Sequence, residues 1–319
     1  MNTVPENEKP KVRFVEIFEE DSGQRLDNFL ITKLKGVPKT RIYRIIRKGE
    51  VRVNKGRIDN KYRLKEGDIV RIPPVRVAIR NNEVDLQPTL KRSLEHDIVY
   101  EDEVMIVLNK PSGYAVHGGS GISSGVIEAL RSLRPEAHFL ELAHRIDKAT
   151  SGCLLIAKKR SILKQLHDLF RENKVKKTYL ALLVGQWERK NMLVTAPLLR
   201  STGKGGERTV KVNKAGKFAE TSFRRIKKFK DLTLVEASPK TGRTHQIRVH
   251  SAWLGHPIVA DERYGEVDVN KKLKLRGFKR LFLHAEQLQF IHPVSHEKMH
   301  FQAPLPSELE SLLQQQVMK

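Results

Sequence analysis

Short apolar runs separated by turns occupy the chain from Asp97 onward, and they restrict its fold more than any other feature. One helical stripe is clear in this region, between Ser161 and Asn173, because apolar residues recur there every three to four positions. Many strands and few helices predict an α+β domain with a mixed or antiparallel sheet. Strands and helices do not alternate regularly, which disfavours a doubly wound nucleotide-binding fold. The runs assigned to strands are IVYEDEVMIVLNK, CLLIAKK, YLALLVG, DLTLVEASP and RLFLHAEQLQF.

Residues 21–80 have a different pattern and form a separate unit. Apolar residues at helical spacing predict a first helix that ends at Gly36. They predict a second helix from Thr40, whose hydroxyl can cap it, through Ile46. Short strands with glycine-containing turns follow. This order predicts a small module of two helices and a hairpin sheet.

The second predicted helix carries a basic face. Arg41, Arg44 and Arg47 are three residues apart, so their side chains form a stripe opposite the isoleucines, with Lys48 beside it. Two short helices, the second of them basic, followed by tight hairpins resemble the small RNA-binding domain first seen in ribosomal protein S-four. The segments VPKTRIYRIIRKGEVRVNKGRI and LKEGDIVRIP carry this resemblance. It implies that these four basic residues contact RNA.

Proline and composition mark the domain boundaries. Pro73 and Pro74 close the module, since proline neither continues a helix nor donates to a sheet ladder. The stretch that follows has no apolar period and is assigned to a linker. We therefore expect an N-terminal extension over residues 1–20, an RNA-binding module over 21–80, a linker over 81–95 and a catalytic domain over 96–319.

The charge of the chain points to a polyanionic partner. The chain has 60 Lys and Arg against 37 Asp and Glu, a net charge of +23, and the excess lies both in residues 1–80 and in residues 200–230. Two separated basic regions suit a large nucleic acid, whose phosphates Lys and Arg neutralise.

No secretory signal or membrane span is visible. One cysteine, Cys153, excludes a disulfide framework. We expect a soluble cytoplasmic protein.

Three polar segments interrupt the apolar pattern of the second domain. AHRIDKATSG runs directly into a strand, and its Asp147 is either a functional carboxylate or part of a solvated turn with a salt bridge. KKTYLALLVG contains Tyr179, which is alternatively a core tyrosine with its hydroxyl at the rim. In PKTGRTHQIRVH, Thr244 can cap a helix to Leu254 that positions Arg248. Its alternatives are a phosphate-binding helix start or an exposed arginine.

Together these segments resemble one enzyme family. HRIDKATSG, KKTYLALLVG and SPKTGRTHQIRVH match, in order and spacing, the motifs of the large-subunit ribosomal RNA pseudouridine synthases. EDEVMIVLNKPSGYAVHGGSG upstream and GHPIVADERYG downstream add support, and the resemblance extends to the closing FQAPLP. The N-terminal module and the linker are most similar to the C-type branch. Ile146 stands where the family usually has Leu, and Ala260 where it often has Gly.

The resemblance implies a function and its residues. The protein is expected to isomerise specific uridines of 23S ribosomal RNA, free or in the assembling large subunit, as a monomer without cofactor or metal. Asp147 is the essential carboxylate, which either attacks the ribose C1′ or removes the 2′ proton. Arg248 is its cationic partner, and Tyr179 assists the final proton transfer. Arg145 fills the gap left by the flipped uridine. His144 and Arg243 are expected to contact RNA.

Other interpretations remain open from sequence alone. The chain could be a non-catalytic ribosome-assembly factor, but that role does not require the three motif residues. An RNA methyltransferase needs a glycine-rich cofactor loop, and a tRNA-charging enzyme needs a nucleotide-binding signature; neither is found. His296 and His300 are four apart, but a zinc site needs further ligands. Lys110 and Pro111 are interpreted as structural, and Cys153 as a small core residue.

Overall fold

Two units, Met1–Glu83 and Val84–Lys319, make up the chain in the computed structural model. The structure describes residues 11–18, 21–34, 36–75, 88–118, 125–202 and 208–316. Residues 81–87 of the assigned linker and most of the N-terminal extension therefore lie outside the described residues. Among the described residues, no helix has the length and apolar character to cross a membrane.

The first unit contains two helices and a three-stranded antiparallel sheet of strand order β1-β3-β2. Leu26, Phe29 and Leu30 of the first helix pack against Ile42 and Ile45 of the second, as their spacing predicts. The strand β1 was not predicted and joins the sheet through its pairing with β3. The elements are β1 (Arg13–Glu16), α1 (Leu26–Lys33), α2 (Lys39–Arg47), β2 (Arg52–Val53) and β3 (Ile69–Ile72).

The second helix begins two residues earlier than expected. The prediction that Thr40 caps it is wrong, because Pro38 occupies the N-cap position and no side chain caps the helix. The Pro38 carbonyl accepts hydrogen bonds from the amides of Arg41 and Ile42. Thr40 therefore lies inside the first turn.

The second unit is built on one large mixed sheet. Its strand order is β4-β5-β7-β14-β8-β13-β12-β9, with β15 paired to β14 and β6 paired to β7. All of these pairs are antiparallel except β14 with β7. This architecture confirms the α+β class. The elements are α3 (Pro88–His96), β4 (Ile98–Glu101), β5 (Met105–Lys110), α4 (Val126–Leu133), β6 (Glu141–Leu142), β7 (Ser151–Ala157), α5 (Arg160–Arg171), β8 (Lys176–Val184), β9 (Asn191–Thr195), β10 (Leu198–Thr202), β11 (Arg208–Val212), β12 (Glu220–Lys228), β13 (Leu232–Pro239), α6 (Gln246–Trp253), α7 (Val267–Leu275), β14 (Leu283–Ile291), β15 (Lys298–Gln302) and α8 (Ser307–Gln314).

The end of the assigned linker is in fact helical. Residues 88–95 belong to α3, whose Leu90 and Leu94 are buried against Ile106 and Leu108 of β5. Two leucines four residues apart make an apolar stripe of only one turn, which is too short to stand out as a helical period. The segment is therefore part of the second unit.

The central strands leave little room at Gly152. Its φ is +108°, a conformation that side chains rarely adopt, and β7 runs parallel to β14 at this point. A Cβ at Gly152 would lie 2.2 Å from the carbonyl oxygen of Ala285. Glycine thus allows the polar segment 143–150 to enter the sheet directly.

We predict that Gly152→Ala lowers the free energy of unfolding by about 3 kcal/mol or more, because both the backbone conformation and the strand spacing must change. Urea denaturation of the full chain measures this. Gly242→Ala is the matched control, since nothing lies within 4 Å of a Cβ there. Equal stability of the two variants would contradict the close approach of the strands.

Candidate active site

A cavity of about 390 Å³ opens where the three polar segments meet. They are the loop before β7, the start of β8, and the turn between β13 and α6. Because β7, β14, β8 and β13 are neighbours in the sheet, segments far apart in sequence converge at one edge. The cavity lies within the size range of small-ligand sites. All six site residues expected in this unit line it: His144, Arg145, Asp147, Tyr179, Arg243 and Arg248.

Asp147 is held by an arginine that is itself held by a second carboxylate. Arg248 Nη1 donates to Asp147 Oδ2 at 3.2 Å. Arg248 Nε and Nη2 donate to the two oxygens of Asp261, each at 2.8 Å. The side chain of Asp261 is fully buried, whereas that of Asp147 is 23% exposed. The ion-pair chain therefore leads from the interior to the reacting surface of the cavity.

Charge and burial act in opposite directions on the pKa values of Arg248 and Asp261. Burial lowers the pKa of Arg248, but Asp261 and Asp147 outweigh it, so the pKa lies above its ordinary value. Burial likewise raises the pKa of Asp261, but Arg248 and two backbone amides outweigh it and hold the pKa below its usual range. Arg248 is therefore cationic and Asp261 anionic near neutral pH.

Asp261 is a site residue that sequence reasoning missed. Its Oδ1 also accepts hydrogen bonds from the amides of Arg263 and Tyr264, at 3.0 and 3.1 Å. The preceding Ala260 has φ of 56°, in the left-handed region that glycine adopts most readily. The signal that could have found Asp261 is GHPIVADERYG, where an acidic residue directly follows an apolar run.

Tyr179 occupies a row of small residues in the sheet. It pairs with Ala285 of β14 on one side and with Ala237 of β13 on the other. These small neighbours leave space for the ring at the cavity wall. Burial, followed by the negative charge of Asp147, raises the pKa of Tyr179 well above its ordinary value. The phenol is therefore protonated at neutral pH.

The start of α6 differs from expectation. The prediction that Thr244 caps this helix is wrong, because His245 occupies the N-cap position with a left-handed backbone. The hydroxyl of Thr244 instead accepts a hydrogen bond from Arg200. His245 Nε2 lies 3.8 Å from Asp147 Oδ2. His245 is thus a second site residue that sequence reasoning missed.

The side chains of His144, Arg145 and Arg243 differ in how far hydrogen bonds and packing restrain them. His144 Nε2 accepts a hydrogen bond from the Leu155 amide at 3.0 Å, and its ring packs on Phe170. Burial lowers the pKa of His144 to about 3, so the ring is neutral. Arg145 is exposed at the cavity rim. Arg243 is exposed too, with its Nε donating to the Phe218 carbonyl at 2.9 Å.

Lys110 anchors the loop that carries Asp147. Its fully buried amino group donates to the carbonyls of Pro111, Tyr114 and Lys148. Burial lowers the pKa of Lys110 to about 7. The hydrogen bond to Lys148 ties the residue after Asp147 to the end of β5, so Lys110 is structural, as its position in the sequence indicates.

The basic stripe of the first unit lies on the solvent side of α2. Arg41, Arg44, Arg47 and Lys48 are exposed at the helix surface, whereas Ile42, Ile45 and Ile46 are buried beneath them.

Within the described part of the chain, no cluster of three or more His, Cys, Asp or Glu could hold a metal ion. Cys153 is fully buried, and burial raises its pKa to about 11.

Similarity to known proteins identifies the fold and the family. Residues 104–253 match the model of the RNA pseudouridylate synthase family, and residues 24–70 match that of the S4 domain. A human protein, RNA Pseudouridylate Synthase Domain Containing 1, has a similar structure with a TM-score of 0.59 and 28% identity, over 71% of this chain and 90% of that one. The chain belongs to the RNA pseudouridine synthase family, whose members are isomerases.

The relatives are similar over nearly their whole length. Ribosomal large subunit pseudouridine synthase C of Haemophilus ducreyi is 56% identical over 95% of this chain and 95% of its own. The protein of the same name from Escherichia coli is 54% identical, over 96% of this chain and 97% of its own. Both the family and the C-type branch expected from the sequence are confirmed.

We predict that Asp261→Asn lowers the free energy of unfolding by about 3 kcal/mol, because it leaves a buried arginine without its bidentate partner. Urea denaturation at neutral pH measures this. Asp268→Asn is the matched control, because Asp268 pairs with Lys271 on the exposed face of α7, and we expect a change within about 0.5 kcal/mol. Similar stability of both variants would argue against the buried pair.

The same pair predicts a pH dependence. The pKa of Asp261 is lower in the folded than in the unfolded chain, so its contribution is complete above the unfolded value of about 3.9 and is lost as pH falls through the folded pKa. The stability difference between wild type and Asp261→Asn should therefore shrink as pH falls below about 4. A difference that stays constant from about pH 6 to about pH 3 would contradict this.

Proposed function

We propose that this protein isomerises specific uridines of 23S ribosomal RNA to pseudouridine, with Asp147 as the essential carboxylate and without a cofactor. The observation that carries the proposal is the Asp147 carboxylate in the cavity, paired through Oδ2 with a buried arginine. The names of the full-length relatives support a ribosomal large-subunit substrate. We further propose that the protein acts in the cytoplasm as a monomer.

The reaction breaks the bond between ribose C1′ and uracil N1, turns the base, and joins C1′ to C5. Asp147 either attacks C1′ or removes the 2′ proton to give a glycal, and both routes require the ionised carboxylate. Arg248 Nη1 donates to Oδ2 and places a positive charge beside the carboxylate. Because no group is added and nothing is oxidised, the chemistry needs no cofactor.

Tyr179 and Arg145 are assigned to the uracil and to the RNA stack. The Tyr179 hydroxyl at the cavity wall assists the final proton transfer from C5 as a hydrogen-bonding group and not as the base, because its high pKa keeps it protonated. A uridine in structured RNA must be unstacked first, at a cost of a few kcal/mol. The exposed guanidinium of Arg145 can occupy the vacated position, because a planar guanidinium stacks on bases.

The rim of the cavity is suited to the RNA backbone. The cationic side chains there are Arg145, Arg171, Lys177 and Arg243. Burial lowers the pKa of Lys177 to about 8, so it is still largely protonated at neutral pH. We assign Arg243 to phosphate contacts. We likewise assign His144, which lines the cavity, to RNA contact.

The first unit is assigned to holding the RNA. Its α2 face presents Arg41, Arg44, Arg47 and Lys48, which supply affinity through phosphate neutralisation. Either free 23S ribosomal RNA or the assembling large subunit can be this partner.

The test of the proposed function is tritium release from 23S ribosomal RNA labelled at uridine C5. We predict release by wild type and none above background by Asp147→Ala or the isosteric Asp147→Asn. Asp268→Asn, on an exposed helix, is the matched control and should remain active. Release should be measured on free RNA and on immature particles.

Two outcomes would overturn the proposal. Equal release by wild type and Asp147→Ala would mean that another carboxylate is essential. No release by wild type on either substrate, with tight RNA binding retained, would favour a non-catalytic ribosome-assembly factor.

We also predict that replacing Arg41, Arg44 and Arg47 together by Ala weakens rRNA binding and reduces its salt slope by about one for each phosphate that is no longer neutralised. The turnover number at saturating RNA should be unchanged, because α2 does no chemistry. Binding is measured at several salt concentrations. The charge-matched control replaces Lys271, Lys272 and Lys274 of α7 by Ala. Equal weakening by both triple variants would show that only total charge matters.

A further inference from the structure

Asp147 presents its two carboxylate oxygens to different surroundings. Arg248 Nη1 and His245 Nε2 both approach Oδ2, at 3.2 and 3.8 Å. Among the described residues, no donor lies within hydrogen-bond distance of Oδ1. The carboxylate is therefore asymmetric: Oδ2 accepts from Arg248 and lies near His245, whereas Oδ1 is uncommitted in a side chain that lines the cavity and is 23% exposed.

His245 is held in this position by its backbone and by Tyr264. Its φ of 53° lies in the left-handed region, which few residues other than glycine adopt, although Asn, Asp and His do so more often than the rest. Such a conformation persists only where the surrounding structure imposes it, and it is frequent at functional sites. Tyr264 Oη lies 2.7 Å from His245 Nδ1. The ring is thus fixed at one nitrogen while the other faces Asp147.

The hydrogen bonds of Tyr264 decide which nitrogen of His245 carries the proton. Tyr264 Oη already accepts a hydrogen bond from the Val210 amide at 3.3 Å. Among the described residues, the one acceptor left for its hydroxyl hydrogen is His245 Nδ1. Burial lowers the pKa of His245, so the ring is neutral and has one N–H. With Nδ1 accepting, that N–H is on Nε2, the nitrogen that lies 3.8 Å from Asp147 Oδ2.

We propose that His245 is a positioning residue for Asp147, fixed as the Nε2–H tautomer by Tyr264, and that Oδ1 is the oxygen that reacts with the ribose. This inference rests on the proposed function. Arg248 donates a hydrogen bond to Oδ2, and the Nε2–H of His245 lies 3.8 Å from the same oxygen, so both groups favour one rotation of the carboxylate. Oδ1 is left to approach the ribose, and a fixed geometry of the reacting atoms lowers the barrier.

The step balances on either route. If Oδ1 attacks C1′, the Oδ1–C1′ bond forms and the C1′–N1 electron pair leaves with uracil; C5 then attacks C1′ and releases Oδ1. If Oδ1 instead removes the 2′ proton, the C1′–C2′ double bond forms as the C1′–N1 electron pair leaves with uracil. C5 then bonds to C1′, and Oδ1 returns the proton to C2′. In both cases Asp147, ionised again at this stage, accepts the C5 proton and passes it to water, and N1 takes up a proton from water. His245 keeps its proton throughout.

Two substitutions at His245 distinguish the effect of losing the Nε2–H donor from the effect of changing the left-handed backbone conformation. Asn tolerates the left-handed conformation, and its amide reaches the level of Nδ1 but offers no donor near Asp147. Gln carries an amide at the level of Nε2. We expect His245→Asn to lower kcat by about 10- to 100-fold, a loss typical of groups that orient a reacting residue. The rRNA dissociation constant and KM should stay unchanged, and His245→Gln should recover much of the activity.

Tyr264→Phe provides a second, independent variant. Phe keeps the ring that packs 5.1 Å from the Arg248 guanidinium, but it cannot set the tautomer of His245. We expect kcat to fall in the wild-type background and to change little further in the His245→Asn background. A double-mutant cycle measures this coupling. A merely structural role for Tyr264 would give additive losses instead.

Nitrogen NMR of protein labelled with ¹⁵N-histidine reports the tautomer directly and needs no RNA. His245→Gln identifies the signals of His245. We expect an unprotonated Nδ1 and a protonated Nε2 in wild type, and a mixture of tautomers in Tyr264→Phe. A protonated Nδ1 in wild type would overturn the proposal, as would wild-type kcat in a folded His245→Asn variant.

Failure of this inference differs from failure of the proposed function. If wild type releases tritium and Asp147→Ala does not, but His245→Asn and Tyr264→Phe are fully active, only the role of His245 is refuted. If wild type releases no tritium on any substrate, the proposed function is refuted, and the assignment of Oδ1 falls with it.

Discussion

The buried pair between Arg248 and Asp261 is the interaction on which the candidate site depends. A guanidinium placed in the interior needs a carboxylate in bidentate geometry, because an uncompensated buried charge costs several kcal/mol. Asp261 supplies both oxygens and is itself held by two backbone amides. The remaining nitrogen of Arg248 is then directed at Asp147. The orientation of the outer carboxylate is thus set from inside the protein.

The sheet brings the other partners to this pair. Asp147 precedes β7, Tyr179 lies on β8, and Arg248 follows β13, three strands within a run of four neighbours. Gly152 permits the close parallel pairing of β7 with β14, and the small residues beside Tyr179 leave space for its ring. Lys110 ties the Asp147 loop to β5 through the Lys148 carbonyl. Each of these interactions fixes backbone near the cavity, so little reorganisation is left for the reaction.

Most of the fold followed from patterns that are local in sequence. Helices α2 and α5 and the buried strands were predicted because their apolar residues repeat with the period of the element. The helix α3 was missed because a stripe of one turn is not a period, and β1 because a short edge strand carries little signal. The N-cap residues of α2 and α6 were both predicted wrongly. Pro38 and His245 take the N-cap positions, and a threonine near a helix start does not reveal which residue turns the chain.

The sequence by itself determined the class of protein, its two-part organisation, and the six residues that meet in the cavity, because ordered motifs and charge are properties of the chain. Only the tertiary structure decided that Asp261 orients Arg248 and that His245 faces Asp147. It also decided that His144 accepts a hydrogen bond from the Leu155 amide. These interactions join segments that are distant in sequence or depend on an unusual backbone angle. Their energies depend on burial and on hydrogen-bond geometry, and neither can be deduced from the order of residues along the chain.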